Sequence, residues 1–152
     1  MRKAVVMCAA AAAILASGAR ADAAQCTIAA APVLFGTYDV FTPAALDSVG
    51  NVVLNCTGNA RNVMITINSG QGGTFALRKM FLNAAEWLGY NLYRNAARSI
   101  VWGDGTGGTS AITAPFVPNN SDIPVPVYGR VTPGQDVRAG AYGDNLTVTI
   151  NF

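Results

Sequence analysis

The chain contains no histidine. That removes the commonest general base and with it the usual Ser-His-Asp and Cys-His nucleophile arrangements. Glutamate occurs once, at Glu86, and lysine occurs only at Lys3 and Lys79. The aspartates are scattered through segments of turn composition, where Asp serves the local backbone. Spacing alone leaves open a carboxylate pair assembled in three dimensions, as a glycosidase would need, but no motif points to one. An enzyme is not expected, and neither is a metal or an organic cofactor.

Long apolar runs are absent after the N-terminus. The one that exists has the form of an export signal: Arg2 and Lys3 are basic, Ala4–Ala16 is uninterruptedly apolar, and Ala21-Asp22-Ala23 is a small-x-small cleavage site. Cleavage is expected after Ala23, with Ala21 as the alternative, giving a leader at 1–23 and one domain at 24–152. The apolar run falls short of the ~20 residues of a membrane-spanning helix, so no membrane span is expected. Removing Arg2, Lys3, Arg20 and Asp22 leaves seven basic and seven acidic residues. A net charge of zero excludes the basic footprint of a nucleic-acid binder.

Cysteine is scarce as well. Cys8 leaves with the leader, and Cys26 and Cys56 remain. An even pair in an exported chain reads as one disulfide. Two thiols without a histidine make a poor metal site, and their spacing is far from the redox C-x-x-C pattern.

What the chain has in quantity is alternation. Leu146, Val148, Ile150 and Phe152 alternate with Thr147, Thr149 and Asn151, which places the four apolar residues on one face of a strand. Val63, Ile65 and Ile67 alternate in the same way, and Val49–Cys56 is rich in β-branched residues. Cys26–Ala29, Val33–Tyr38, Tyr90–Tyr93 and Ser99–Trp102 also read as extended, whereas Phe41–Ser48 reads as a loop. Pro124 and Pro126 deny Ile123–Val131 alternate backbone donors, which marks an edge strand. Phe75–Leu88 is ambiguous, because Leu77, Met80, Phe81, Ala84 and Leu88 also fit an amphipathic helix. Many short strands between turns indicate an all-β sandwich or barrel.

Gly103-Asp104-Gly105-Thr106-Gly107-Gly108 contains G-x-G-x-x-G, but no helix pattern follows to receive a pyrophosphate, so a turn is expected. Asp104 has no second carboxylate nearby to help hold calcium. The aromatics Trp87, Tyr90, Tyr93, Trp102 and Tyr128 suit either a sugar-binding face or core packing, and packing is the commoner use.

Taken in order, several of these segments resemble the secreted spore-coat protein U domain, a family that includes subunits of archaic (Csu-type) chaperone–usher pili. They are Cys26-Thr27-Ile28, Phe35-Gly36-Thr37-Tyr38-Asp39, Leu54-Asn55-Cys56-Thr57-Gly58 and Tyr90-Asn91-Leu92-Tyr93-Arg94. Trp102–Thr109, Val127-Tyr128-Gly129-Arg130, Gln135 and Gly140-Ala141-Tyr142-Gly143-Asp144 continue the set. The resemblance implies an immunoglobulin-like sandwich lacking one strand. It also implies partners: a periplasmic pilus chaperone fills the gap first, an outer-membrane usher handles export, and another subunit donates its N-terminal strand. On that analogy Leu146, Val148, Ile150 and Phe152 form the edge that meets the partner strand.

One feature departs from the polymerising members, which carry a donor extension ahead of the first cysteine. Cleavage after Ala23 leaves Ala24-Gln25, and at ~3.3 Å per residue that is too short to lie along a neighbour's groove. The expectation is a structural or adhesive subunit at the end or tip of a surface fibre, with Phe41–Leu46 or Phe116–Pro118 as apolar contact loops. The alternatives are a self-contained coat protein and a secreted carbohydrate-binding module.

Overall fold

The alternating segments form eight strands and no helix across residues 24–152, the part of the chain that the computed structural model describes. The leader assigned to residues 1–23 lies outside the described residues. The strands are β1 (Gln25–Ala31), β2 (Leu46–Thr57), β3 (Ala60–Ile67), β4 (Arg78–Phe81), β5 (Trp87–Tyr93), β6 (Ile112–Val117), β7 (Ile123–Val131) and β8 (Val148–Asn151). They make two antiparallel sheets, a five-stranded one in the order β1-β2-β7-β5-β4 and a three-stranded one in the order β6-β3-β8.

Period-2 patterning explains how the sheets face each other. Val52, Leu54, Leu92, Val125, Val127 and Val131 point inward from the larger sheet, against Val63, Ile65, Ile67 and Val117 from the smaller. Asn62 takes a positive φ of 53°, a conformation Asn tolerates better than most residues, and Ala60 and Val63 on either side of it are both buried. Trp102 is wholly buried between the sheets, and its indole N–H donates to the Ile65 carbonyl at 3.0 Å.

Cys26 stands opposite Cys56 in the β1–β2 ladder, and the two form the disulfide. Asp47 and Arg130, paired across β2 and β7, join through two hydrogen bonds of 2.7 and 2.8 Å. That bond holds the Asp47 carboxyl below its usual range.

Several expectations need correction. Ile123–Val131 is not an edge strand, since β7 lies between β2 and β5. Its prolines are tolerated because β5 pairs only with Tyr128–Val131, leaving Pro124 and Pro126 beyond its reach. The segment Phe75–Leu88, which the sequence left open between helix and strand, forms no helix. A hairpin places Met80 opposite Leu88 and Phe81 opposite Trp87, and Asn83 closes the turn by accepting from the N–H groups of Ala85 and Glu86. Cross-strand partners eight residues apart had imitated a helical period. Val33–Tyr38 belongs to no strand, Ser99–Trp102 contributes only isolated bridges, and the loop before β2 ends at Ala45, with Leu46–Ser48 already in the strand. Phe116 lies within β6, and its ring carries the Arg61 guanidinium at 5.2 Å.

Arg78 is completely buried, which the sequence did not signal. Its guanidinium donates to Asn91 Oδ1 at 2.6 Å, to the Trp102 carbonyl at 2.8 Å and to the Asn68 carbonyl at 2.9 Å. Burial lowers its proton affinity, yet an arginine keeps its charge in proteins. Asn68 in turn ties the end of β3 to Thr147 through N–H···O (3.1 Å) and through Oδ1 accepting from the Thr147 N–H (3.0 Å). One buried cation therefore organises the turn that launches β8.

Arg78→Ala should lower stability by about 3 kcal/mol or more, since buried acceptors left unpaired cost about 1–3 kcal/mol each. Arg78→Lys should recover only part of this, because one ammonium lacks the planar fork. Urea unfolding of both variants, each in a one-to-one complex with the candidate chaperone, checks the order. Cys26→Ser/Cys56→Ser should cost about 3–4 kcal/mol, and reduction of the unaltered chain should reproduce that loss.

Candidate functional site

β8 pairs with β3 on one side and ends the smaller sheet on the other. Its ladder runs Met64↔Asn151 to Ile67↔Val148, and among the described residues no strand pairs with its other edge of backbone N–H and C=O groups. Such an edge is a ready template for strand addition. Burial alternates through the whole approach: Tyr142, Asp144, Leu146, Val148 and Ile150 are half-buried, while the residues between them are exposed.

Beside this edge the sandwich is open. A groove runs between the segment after β1 and the segment leading into β8, as two adjoining hollows of ≈ 420 Å³ and ≈ 970 Å³. They meet at Val33, Leu34, Phe35, Met80 and Tyr142. The smaller reaches core residues, with Val52, Ile67, Leu92, Trp102 and Val127 in its lining. The larger lies over Leu46, Leu88 and Val131. The core residues of the floor are themselves buried, and the apolar area the groove leaves to water belongs to its walls, to the exposed Leu34 and the half-buried Val33, Phe35, Leu146 and Val148.

The near wall is the segment Ala30–Val40. Val33 and Phe35 pack against the core, Leu34 points outward, and the Leu34 carbonyl accepts from Ser48 Oγ at 2.6 Å. The far wall crosses from one sheet to the other. Gly143 exchanges two backbone hydrogen bonds with Phe81, at 2.7 and 3.1 Å, and Thr147 is bonded to Asn68. Between these points the Asp144 carboxylate accepts from Tyr90 Oη at 2.7 Å and from the Gln71 N–H at 3.0 Å. Burial, and next the bond to Asp144, raise the Tyr90 phenol above its ordinary range, so it serves as a fixed donor.

Of the four residues expected at the partner edge, Leu146 and Val148 line the groove. Ile150 packs on the core farther along, and Phe152 lies beyond β8, 59% exposed and away from the groove lining. Leu146 precedes the paired part of β8, which is shorter than the alternating stretch.

The other candidates disperse. Trp102 and Tyr90 are core, Tyr93 and Tyr128 face each other across β5 and β7, and Trp87 is partly exposed with Lys79 Nζ 4.1 Å from its ring centroid. They form no common sugar-binding face. Asp104 is bound within its own loop by the N–H and hydroxyl of Thr106, and Gly105 and Gly108 have φ of +93° and +79°, as turns require. Among the described residues no three His, Cys, Asp or Glu side chains cluster as metal ligands, and no helix is long and apolar enough to cross a membrane. Phe41–Leu46 and Phe116–Pro118 sit at opposite ends of β2, roughly 35 Å apart at strand rise, so they cannot form one contact surface.

Sequence reasoning missed Arg78, Asn68 and the Tyr90–Asp144 pair. Their signal was faint, since a lone Arg in an ambiguous segment reads as surface.

Comparison with known proteins agrees with this architecture. A family model described as Spore Coat Protein U domain matches residues 10–149. Protein U of Myxococcus xanthus is 38% identical over 133 residues, covering 78% of this chain and 70% of that protein. Among solved structures, a chain of the CsuC–CsuE chaperone–tip adhesion subunit pre-assembly complex, from archaic chaperone-usher Csu pili of Acinetobacter baumannii, superposes with a TM-score of 0.58. That match is 22% identical and covers 86% of this chain but 40% of the other, so this chain spans less than half of its structural relative and shares its fold. The family model and the relative at 38% identity together place the chain in the Spore Coat Protein U domain family, whose members are non-catalytic structural proteins.

Proposed function

We propose that this domain is a subunit of a chaperone–usher surface fibre, completed by a strand that a partner lays along the free edge of β8. The observation that carries this is the combination of an unpaired strand edge with a groove floored by core residues. Backbone hydrogen bonds would fix the incoming strand, and its alternate apolar side chains would fill the two hollows. A periplasmic chaperone would occupy the groove first. At an outer-membrane usher it would give way to the N-terminal strand of another subunit. Leu146 and Val148, with Ile150 continuing the same face, are the residues that would meet either strand, and Phe152 would join them only where the strand runs past β8.

The position we assign is terminal, at the tip or at a capping point. Cleavage after Ala23 would leave Ala24 alone ahead of β1, whose first residue, Gln25, already pairs with Thr57. The exported, mature chain would then accept a strand without donating one, and intact-mass measurement of the secreted protein checks that cut. Phe41 is 91% exposed on a turn fixed by Asp39, whose carboxylate accepts from the Phe41 N–H and the Thr42 hydroxyl. It is the better of the two apolar contact points for a surface.

A second reading, a coat protein whose sandwich needs no partner, is favoured by the 38% identity to Protein U. Co-expression with the candidate chaperone separates the two. Val148→Asp, on the groove face, should reduce recovery of the one-to-one complex at least tenfold. Thr149→Asp, exposed on the opposite face, should leave it nearly unchanged. Equal recovery for both variants, or no complex with the unaltered chain, would favour the coat protein.

A further inference from the structure

The groove's two walls are connected across its floor. Phe35, on the near wall, packs edge-on against Tyr90, with ring centroids 5.9 Å apart and planes at 71°. Tyr90 then donates to Asp144 on the far wall at 2.7 Å. Asp144 also holds the Gln71 N–H, so a displacement of the tyrosine reaches the segment entering β8.

Phe35 reaches this position because the sheet beneath it lacks side chains at two places. Gly50 on β2 and Gly129 on β7 lie on the inward face, beside Val52 and Val127. A methyl at Gly129 would fall 2.6 Å from Phe35 Cζ and 2.8 Å from Val33 Cγ1. A methyl at Gly50 would fall 2.6 Å from Val33 Cγ2, with the Ala31 carbonyl at 3.3 Å. Carbon atoms pack at about 3.5–4.0 Å, so either substitution forces the near wall away from the sheet and toward the groove. Phe35 lines both hollows and keeps its edge contact with Tyr90, so the groove is the open direction into which it can move.

We infer that Phe35, Tyr90 and Asp144 form a brace that sets the width of the groove, and that Gly129 is a positioning residue for strand uptake because it leaves Phe35 its seat. This rests on the strand-completion reading above. An incoming strand must fit between the Phe35 wall and β8, within a spacing of ~4.8 Å to its hydrogen-bonded neighbour. A wall raised by a methyl's thickness closes part of that space.

The test uses the disulfide-bonded chain and a fluorescein-labelled 13-residue peptide with Val or Ile at alternate positions and Thr or Ser between them, followed by anisotropy. Gly129→Ala should weaken peptide binding at least tenfold. Adding Phe35→Leu, which frees the volume that the new methyl needs, should restore most of that loss. Urea midpoints of the three chains are measured alongside. A purely structural role predicts that Gly129→Ala lowers the midpoint and that affinity stays low in the double variant, and this outcome overturns the inference. Unchanged binding by Gly129→Ala overturns it too. If the unaltered chain fails to bind the peptide, strand completion itself is refuted, and the brace falls with it.

Discussion

An unpaired strand edge beside an open core is the constraint on which the rest of this domain depends. β8 satisfies one of its two rows of backbone groups through β3, and among the described residues no strand pairs with the other. Its apolar face borders hollows that reach Trp102, Ile67 and Leu92. An incoming strand would exchange the hydration of that edge for main-chain hydrogen bonds, and it would cover the apolar area still exposed on the half-buried Val33, Phe35, Leu146 and Val148, at about 25 cal/mol per Å². Both terms favour the arrival of a strand. They also explain why the edge needs guarding, since any flat chain with alternating apolar residues is a competitor.

Keeping such a groove open requires rigid walls. The far wall is fastened to both sheets, at Phe81 through Gly143 and at Asn68 through Thr147, while Arg78 anchors the Asn68 carbonyl from inside the core. The near wall is seated on Gly50 and Gly129, and Ser48 holds the Leu34 carbonyl. Gln135 adds a further strut, since its amide bonds both the N–H and the carbonyl of Gly89, at 2.7 and 2.8 Å, where β7 no longer pairs with β5. Buried polar contacts of this kind are worth having only when every member is satisfied, and among the described residues no buried side-chain nitrogen or oxygen lacks a partner.

The two-sheet architecture was legible in the alternation of Val63, Ile65 and Ile67 and of the terminal stretch, because a half-buried strand prints its period on the sequence. The Cys26–Cys56 pair was legible from the export signal and from parity, and the two are joined in the structure. The pairing of β7 was not, because a proline's missing donor shows only that one side lacks a bond, and β5 stops short of that side. The hairpin at Phe75–Leu88 was hidden because Met80 and Leu88 sit eight apart by turn length, a spacing that helices also produce. At the site, the apolar face of β8 was visible, whereas the brace from Phe35 to Asp144 joins residues distant in sequence through contacts that no local pattern records. Glycines 50 and 129 carried no signal of their own, since the atoms they avoid belong to Val33 and Phe35.

The central claim is that the sandwich is incomplete without a partner strand, and urea unfolding of the mature, disulfide-intact chain tests it most directly. The chain is measured alone and co-purified with its candidate chaperone. The account predicts that the chain alone is folded but melts in little denaturant, and that its one-to-one complex with the chaperone melts at a much higher urea concentration. A cooperative, monomeric transition for the lone chain at an ordinary domain stability of about 5–15 kcal/mol, with no gain from the chaperone, would contradict it.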